Sequence, residues 1–224
     1  MSLAILFLLS ILGLIAFSVL VYQFFTNFQP GKNRVLADFR KMRDEISEWS
    51  DQLVPWNREE MSLLSLRQVN QKVKRGMKKT AKGIFTSIYH EPLVVYSYRK
   101  YIAAKENAIL YARTSRNEFA YRIQKKGIDV NIDGQYAGIL KDNGGFYGGR
   151  RNRLLAKINR DDELKLHPII IGEKEVASVQ NPNKTDKHNP RAFQFIREMD
   201  NKEEKMFLAL AILEMVQESL QEEF

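Results

Sequence analysis

The chain has 224 residues, 44% of them hydrophobic, and a formal net charge of +8, which suits one membrane span and a single packed domain rather than several. It contains no cysteine, which excludes disulfides and thiolate zinc sites. The charge is uneven: residues 1–31 carry none, 32–54 balance to zero, 55–90 carry +6, 91–160 carry +8 and 161–224 carry −6, so the basic middle is the part suited to an anionic surface.

The first charged side chain is Lys32, and the run from Leu3 to Phe25 is almost wholly apolar. A helix needs about 20 such residues to cross a hydrocarbon core. The run has neither the basic leader nor the small-x-small ending of a secretory signal, which favours an uncleaved anchor. Lys32, Arg34, Arg40, Lys41 and Arg43 follow the span and no cation precedes it. The positive-inside rule then expects a single-pass protein with its N-terminus outside and its C-terminal domain cytoplasmic. Tyr22, Phe24, Phe25 and Phe28 suit an aromatic belt at the headgroup level.

After Pro30 and Gly31, the residues Val35, Phe39, Met42, Ile46, Trp49 and Leu53 recur with the spacing of a heptad seam. The seam either pairs with another chain as a short coiled coil or lies against the chain's own domain or a neighbouring membrane subunit. Its shortness favours packing on something larger. Pro55 stops this helix, and Asn57 with Glu60 offers a capping box for a second one over REEMSLLSLRQVNQKVK. Between Glu60 and Glu91 there is no acidic residue, whereas Lys72, Lys74, Arg75, Lys78, Lys79 and Lys82 gather there. Close to a cytoplasmic leaflet, each such cation contributes about 1 kcal/mol of attraction to anionic lipid. The stretch lacks the interleaved aromatics of a base-stacking surface, so nucleic acid is not the expected partner.

From Lys82 the period turns from helical to alternating. IFTSIYH, LVVYSYRKY, AILYAR, FAYRI, IDVNID, YAGIL, LAKI, LHPIII, VASVQ and AFQFI read as strands, separated by turn signals such as Lys-Gly, Asp-Gly and Asp-Asn-Gly-Gly. Roughly ten short strands in succession imply a barrel or sandwich. The run MFLALAILEMV, Met206 to Val216, is apolar on every side except at Glu214. It is too short to span a membrane and therefore belongs in a protein core. The fold expected is α+β: an N-terminal transmembrane helix (1–31), two connecting helices with the basic stretch (32–81), and an antiparallel β-barrel of about ten or more strands around a buried C-terminal helix (82–224).

Between Lys82 and Gln221 the strand texture, the segment VNIDGQYAGILKDNGG and the helix MFLALAILEMV make the chain resemble the tubby and phospholipid-scramblase superfamily. That resemblance implies a closed antiparallel barrel enclosing a hydrophobic C-terminal helix, and a membrane-proximal role that includes binding anionic lipid. Here, in contrast to the usual arrangement in such families, the apolar span comes first.

No catalytic constellation accompanies these elements. His90, His167 and His188 have no metal-ligand spacing, and Asp161, Asp162 and Glu163 lack the length of an EF-hand, so no metal or cofactor is expected. GGFYGGRRNR offers a glycine nest backed by Arg150, Arg151 and Arg153 but lacks the Walker ending, which makes a hairpin with a basic rim the better reading. Three functions stay open: a non-enzymatic anchored module contacting anionic lipid or a membrane complex; an accessory subunit packed through the anchor and the 35–53 helix; and, least favoured, an enzyme acting on phosphate-bearing lipid through the glycine-arginine loop.

Overall fold

The structure is a computed structural model that describes residues 3–28, 30–76, 79–101, 107–149, 152–161, 163–181, 184 and 190–221. Helix α1 (Leu3–Phe28) is long and apolar enough over Ile5–Tyr22 to cross a membrane, and no side chain in that window is buried by protein. Its length is about 39 Å at 1.5 Å per residue. Helix α2 (Lys32–Glu45) follows, then the single turns α3 (Ser47–Ser50) and α4 (Arg58–Met61). At α4 the expected capping box is present: the Asn57 side chain accepts from the Glu60 N–H at 2.9 Å, and Glu60 accepts from the Asn57 N–H at 2.8 Å.

The helix does not continue through Lys74 as the capping box and the segment after it suggest. From Leu64 the chain is strand β1 (Leu64–Lys74), so the second connecting helix is one turn long and the sheet begins well before Lys82. The physical reason is a bulge. Pairing with β2 (Lys79–Ser87) passes from Val69↔Ile84 to Lys72↔Lys82, and Asn70 sits there at φ 54°. The extra residue flips the alternation, so Leu66 and Val73 both pack on the inner core while Val69 meets the outer cluster. In sequence that offset hides the two-residue alternation of a strand.

Strands β3 (Pro92–Lys100), β4 (Ala108–Arg113), β5 (Glu118–Gln124), β6 (Gly127–Ile132), β7 (Gln135–Leu140), β8 (Gly145–Tyr147), β9 (Leu154–Ile158), β10 (Leu166–Ile171), β11 (Lys174–Gln180) and β12 (Phe193–Gln194) complete a meander in which each strand pairs antiparallel with the next. Asp133 and Gly134, at φ 52° and 77°, form the two-residue turn between β6 and β7 that the Asp-Gly signal predicts. The sheet nearly closes on itself. The Ala192 N–H bonds the Leu64 carbonyl at 2.7 Å, and the Leu66 N–H bonds the Pro190 carbonyl at 3.0 Å.

Strand patterns differ around the wall for a visible reason. Strands β5 and β10 alternate between buried and half-buried residues, as a wall with one wet face must. Strands β2, β3 and β4 are buried on both faces, because α2 and α3 cover them from outside. Inward-facing residues such as Phe85, Tyr96, Leu110, Phe119, Phe146 and Phe193 form one cluster with helix α5 (Asn201–Gln221). From Met206 to Val216 no residue of α5 is more than 8% exposed. The Tyr121 hydroxyl donates to the Ala209 carbonyl at 2.7 Å, and Phe193 meets Phe207 edge-on at 4.9 Å. Glu214, the only charge in that run, accepts from Arg160 Nε at 2.8 Å and lies 2.9 Å from His167 Nδ1.

Candidate functional site

The heptad ridge meets the chain's own barrel. Met42 and Ile46 are fully buried against Ile84, Val95, Ile109 and Tyr111, with Val35, Phe39 and Trp49 half-buried beside them and Leu53 at the far end. Burial of each fully covered aliphatic side chain contributes about 1.5–3 kcal/mol. Of the readings open to this ridge, a partner helix or the chain's own domain among them, it is strands β2–β4 of the same chain that cover it.

Polar contacts fix the direction of this packing. Asp38 accepts from Arg99 Nη1 at 2.5 Å and from the Tyr101 hydroxyl at 2.7 Å, both carboxylate and guanidinium being buried. Arg99 also reaches Glu45 at 3.3 Å, and Arg34 flanks Asp38 at 3.5 Å. Burial pushes the Tyr101 phenol well above its ordinary value, and its hydrogen bond to Asp38 adds to the rise. Farther along, Arg43 donates to the Tyr111 hydroxyl at 3.1 Å and to Glu118 at 2.5 Å, and the Val54 N–H bonds the Pro92 carbonyl at 3.0 Å. Helix α2 thus runs antiparallel to β3. Its first turns, next to α1, lie at the end of the barrel where β3 ends and β4 begins.

The antiparallel order brings the β1–β2, β3–β4, β5–β6 and β7–β8 connections to that same end. Among the described residues this rim carries Lys74, Arg75, Lys79, Lys100, Lys125, Lys126 and Lys141, with Lys74, Arg75, Lys125 and Lys126 exposed. Among the described residues of these four connections Asp142 is the acidic one, and the β9–β10 connection beyond turns acidic at Asp161 and Glu163. The rim is polarised, basic on the side where α2 joins α1.

The expected cationic site is only partly assembled. Lys74, Arg75 and Lys79 lie on the rim, and Lys72 is exposed on β1 behind them; Lys78 lies outside the described residues. Lys82 is not part of the exposed patch. Its ammonium donates to the Glu45 carbonyl at 3.0 Å and sits 4.7 Å over the Trp49 ring, which makes it a fastener for α2 and α3. Arg153 belongs to the β8–β9 connection at the opposite end, so the glycine-arginine loop and the lysine stretch do not share a surface; Arg150 and Arg151 lie outside the described residues. Lys100, Lys125, Lys126 and Lys141 were absent from the expected set. Lys125-Lys126-Gly127 reads only as a turn until strand pairing places it at the same barrel end as the β1–β2 connection.

His167 is buried at the start of β10 beside Glu214, and His90 is exposed at φ 70° in the β2–β3 connection. His188 lies outside the described residues. Among the described residues no three His, Asp or Glu side chains converge as a metal site, and the Glu163 N–H bonds Asp161 Oδ1 at 3.0 Å in a local turn. No family model, curated protein or solved structure matches this chain.

Proposed function

We propose that the chain is a single-pass, non-enzymatic membrane protein whose cytoplasmic barrel, wrapped around α5, holds a lysine-rich rim against anionic lipid headgroups. The observation that carries this reading is the packing of α2 along the wall with its first turns at the basic rim. Only residues 29–31 separate α1 from α2, so an α1 that spans the bilayer delivers the barrel rim-first to the headgroup layer. A helix lying along the wall also leaves no stalk between rim and membrane. The positive-inside bias after α1 supports the cytoplasmic side. Each rim cation within a Debye length of an anionic leaflet adds about 1 kcal/mol of attraction, so several together give a salt-sensitive contact without chemistry. The tubby-like assignment belongs to this proposal and is carried by the strand texture and the apolar helix after the last strand. The accessory-subunit reading loses its motive, because the 35–53 ridge is spent on the chain's own sheet.

The test uses the full chain in phosphatidylcholine nanodiscs with and without phosphatidylserine, followed by hydrogen exchange. The β1–β2 and β5–β6 connections are expected to gain protection only in anionic discs, and to lose it at high salt or on Lys125→Glu with Lys126→Glu. Equal exchange in both kinds of disc sinks the proposal.

A further inference from the structure

The barrel end remote from α1 has an unusual construction on one side. Between β6 and β7 the register passes from Val130↔Gly138 to Asn131↔Tyr136, which leaves Ala137 as an extra residue. Between β8 and β9 it passes from Phe146↔Ala156 to Tyr147↔Leu154, which leaves Leu155 as another. Bulges re-aim side chains, and they gather at barrel rims and binding sites. These two aim at one place. Ala137 and Leu155, both half-buried, line a groove of about 450 Å³ between the wall and the first turns of α5. That volume lies within the roughly 300–1,000 Å³ of small-molecule sites.

The groove has a two-part chemistry. Its apolar floor continues through Ile132, Phe146 and Met206, and the exposed ring of Tyr136 forms one wall. Its lip carries Lys202 and Lys205. Lys205 is committed to Asp133 at 2.6 Å, and Asp133 also accepts from Asn117 at 2.9 Å and from the Glu118 N–H at 3.0 Å, so that pair is neutral and rigid. Asp200 and Glu203 spend their carboxylates on the α5 cap. Lys202 is exposed and makes no ion pair among the described residues. A lysine in the first turn opposes the helix dipole, so its position there does not serve helix stability.

We infer that this groove binds a small amphiphilic anion, a medium-chain carboxylate being the simplest, with its apolar body over Ala137, Phe146 and Leu155 and its head on Lys202. The site faces away from the bilayer and is independent of the lysine rim.

The test takes the full chain in phosphatidylcholine nanodiscs with a medium-chain carboxylic acid carrying a diazirine at its chain end, and maps photolabelled peptides. Labelling is expected on β7–β9 and the start of α5, and to be displaced by the plain acid. Lys202→Glu, or use of the methyl ester of the probe, weakens it about tenfold, the effect of losing one charge-assisted contact. Leu155→Trp fills the groove from the bulge and abolishes labelling while leaving rim protection in anionic discs unchanged. Equal labelling by acid and ester, labelling untouched by both variants, or labelling confined to α1 overturns the inference.

Discussion

Glu214→Ala lowers the stability of the folded barrel by about 3–5 kcal/mol, the cost of leaving buried charged partners uncompensated. Glu214 is 2% exposed, and its carboxylate holds Arg160 on one oxygen and His167 on the other. Asn181 closes the far side of the imidazole at 3.4 Å, while Asp161 and Glu218 also act on the ring. Denaturant unfolding of the full chain in mild detergent, followed by tryptophan fluorescence, reads the loss. Glu214→Gln keeps the shape and most hydrogen bonds and is expected to cost well under half as much. Equal stability of parent and Glu214→Ala would show that the cluster merely fills space.

The same cluster gives stability a pH profile. Its hydrogen bond to Glu214 raises the His167 pKa above the ordinary 6.5, against the opposing effect of burial. The stabilisation from His167 is therefore complete below pH 6.5 and is lost as pH rises through the raised value. Burial pushes the Glu214 carboxyl upward, but hydrogen bonds and charge from His167 and Arg160 outweigh it and hold the group below 4.5. Its share is complete above pH 4.5 and is lost as pH falls through the lowered value. Stability from the pair peaks between these limits, and His167→Gln is expected to flatten the alkaline side of the profile.

Asp38→Ala has the second large effect, about 3 kcal/mol or more, again from orphaning a buried charge, but it acts on a different part of the molecule. Arg99 would be left with only the longer contact to Glu45, and Tyr101 with none from α2. The two tryptophans separate the outcomes: Trp49 lies on α3 beside Lys82, in the cluster under α2, whereas Trp56 belongs to the barrel core. With Trp49→Phe and Trp56→Phe backgrounds, the variant is expected to lose the Trp49 signal at lower denaturant than the Trp56 signal, while the parent loses both together. Coincident transitions in the variant would mean that α2 is not a separable strut. If the rim meets anionic lipid as proposed, release of α2 also erases its lipid-dependent protection.

How much of this was legible depended on whether a feature was local. The apolar span, the strands from LVVYSYRKY onward and the apolar run ending at Val216 each announce themselves by composition within one segment, and α1, β3–β7, β9–β11 and the C-terminal helix α5 follow those signals. Strand β8 is too short, and too enclosed by glycine, to show a period. Strand β1 was disguised by its bulge. The ridge Val35–Leu53 was readable as apolar, but its occupant was not, because Ile84, Val95 and Ile109 look like interior strand residues until one knows which face α2 covers. The rim and the groove were hidden for a deeper reason: each is assembled from connections or bulges that strand pairing alone makes neighbours.

Placing α5 after every strand has a consequence for biogenesis. The wall is synthesised before the element that fills it, and its closing contacts join Ser65 to Pro190 across 125 positions of chain. Until α5 leaves the ribosome, Phe85, Tyr96, Leu110 and Phe146 lack the apolar helix that they share a core with. The nascent protein is then an open, sticky ribbon with slow long-range closure still ahead of it. A cell making this protein must shield that ribbon for the interval, so truncation just before Asn201 is an aggregation hazard as well as a loss of one helix.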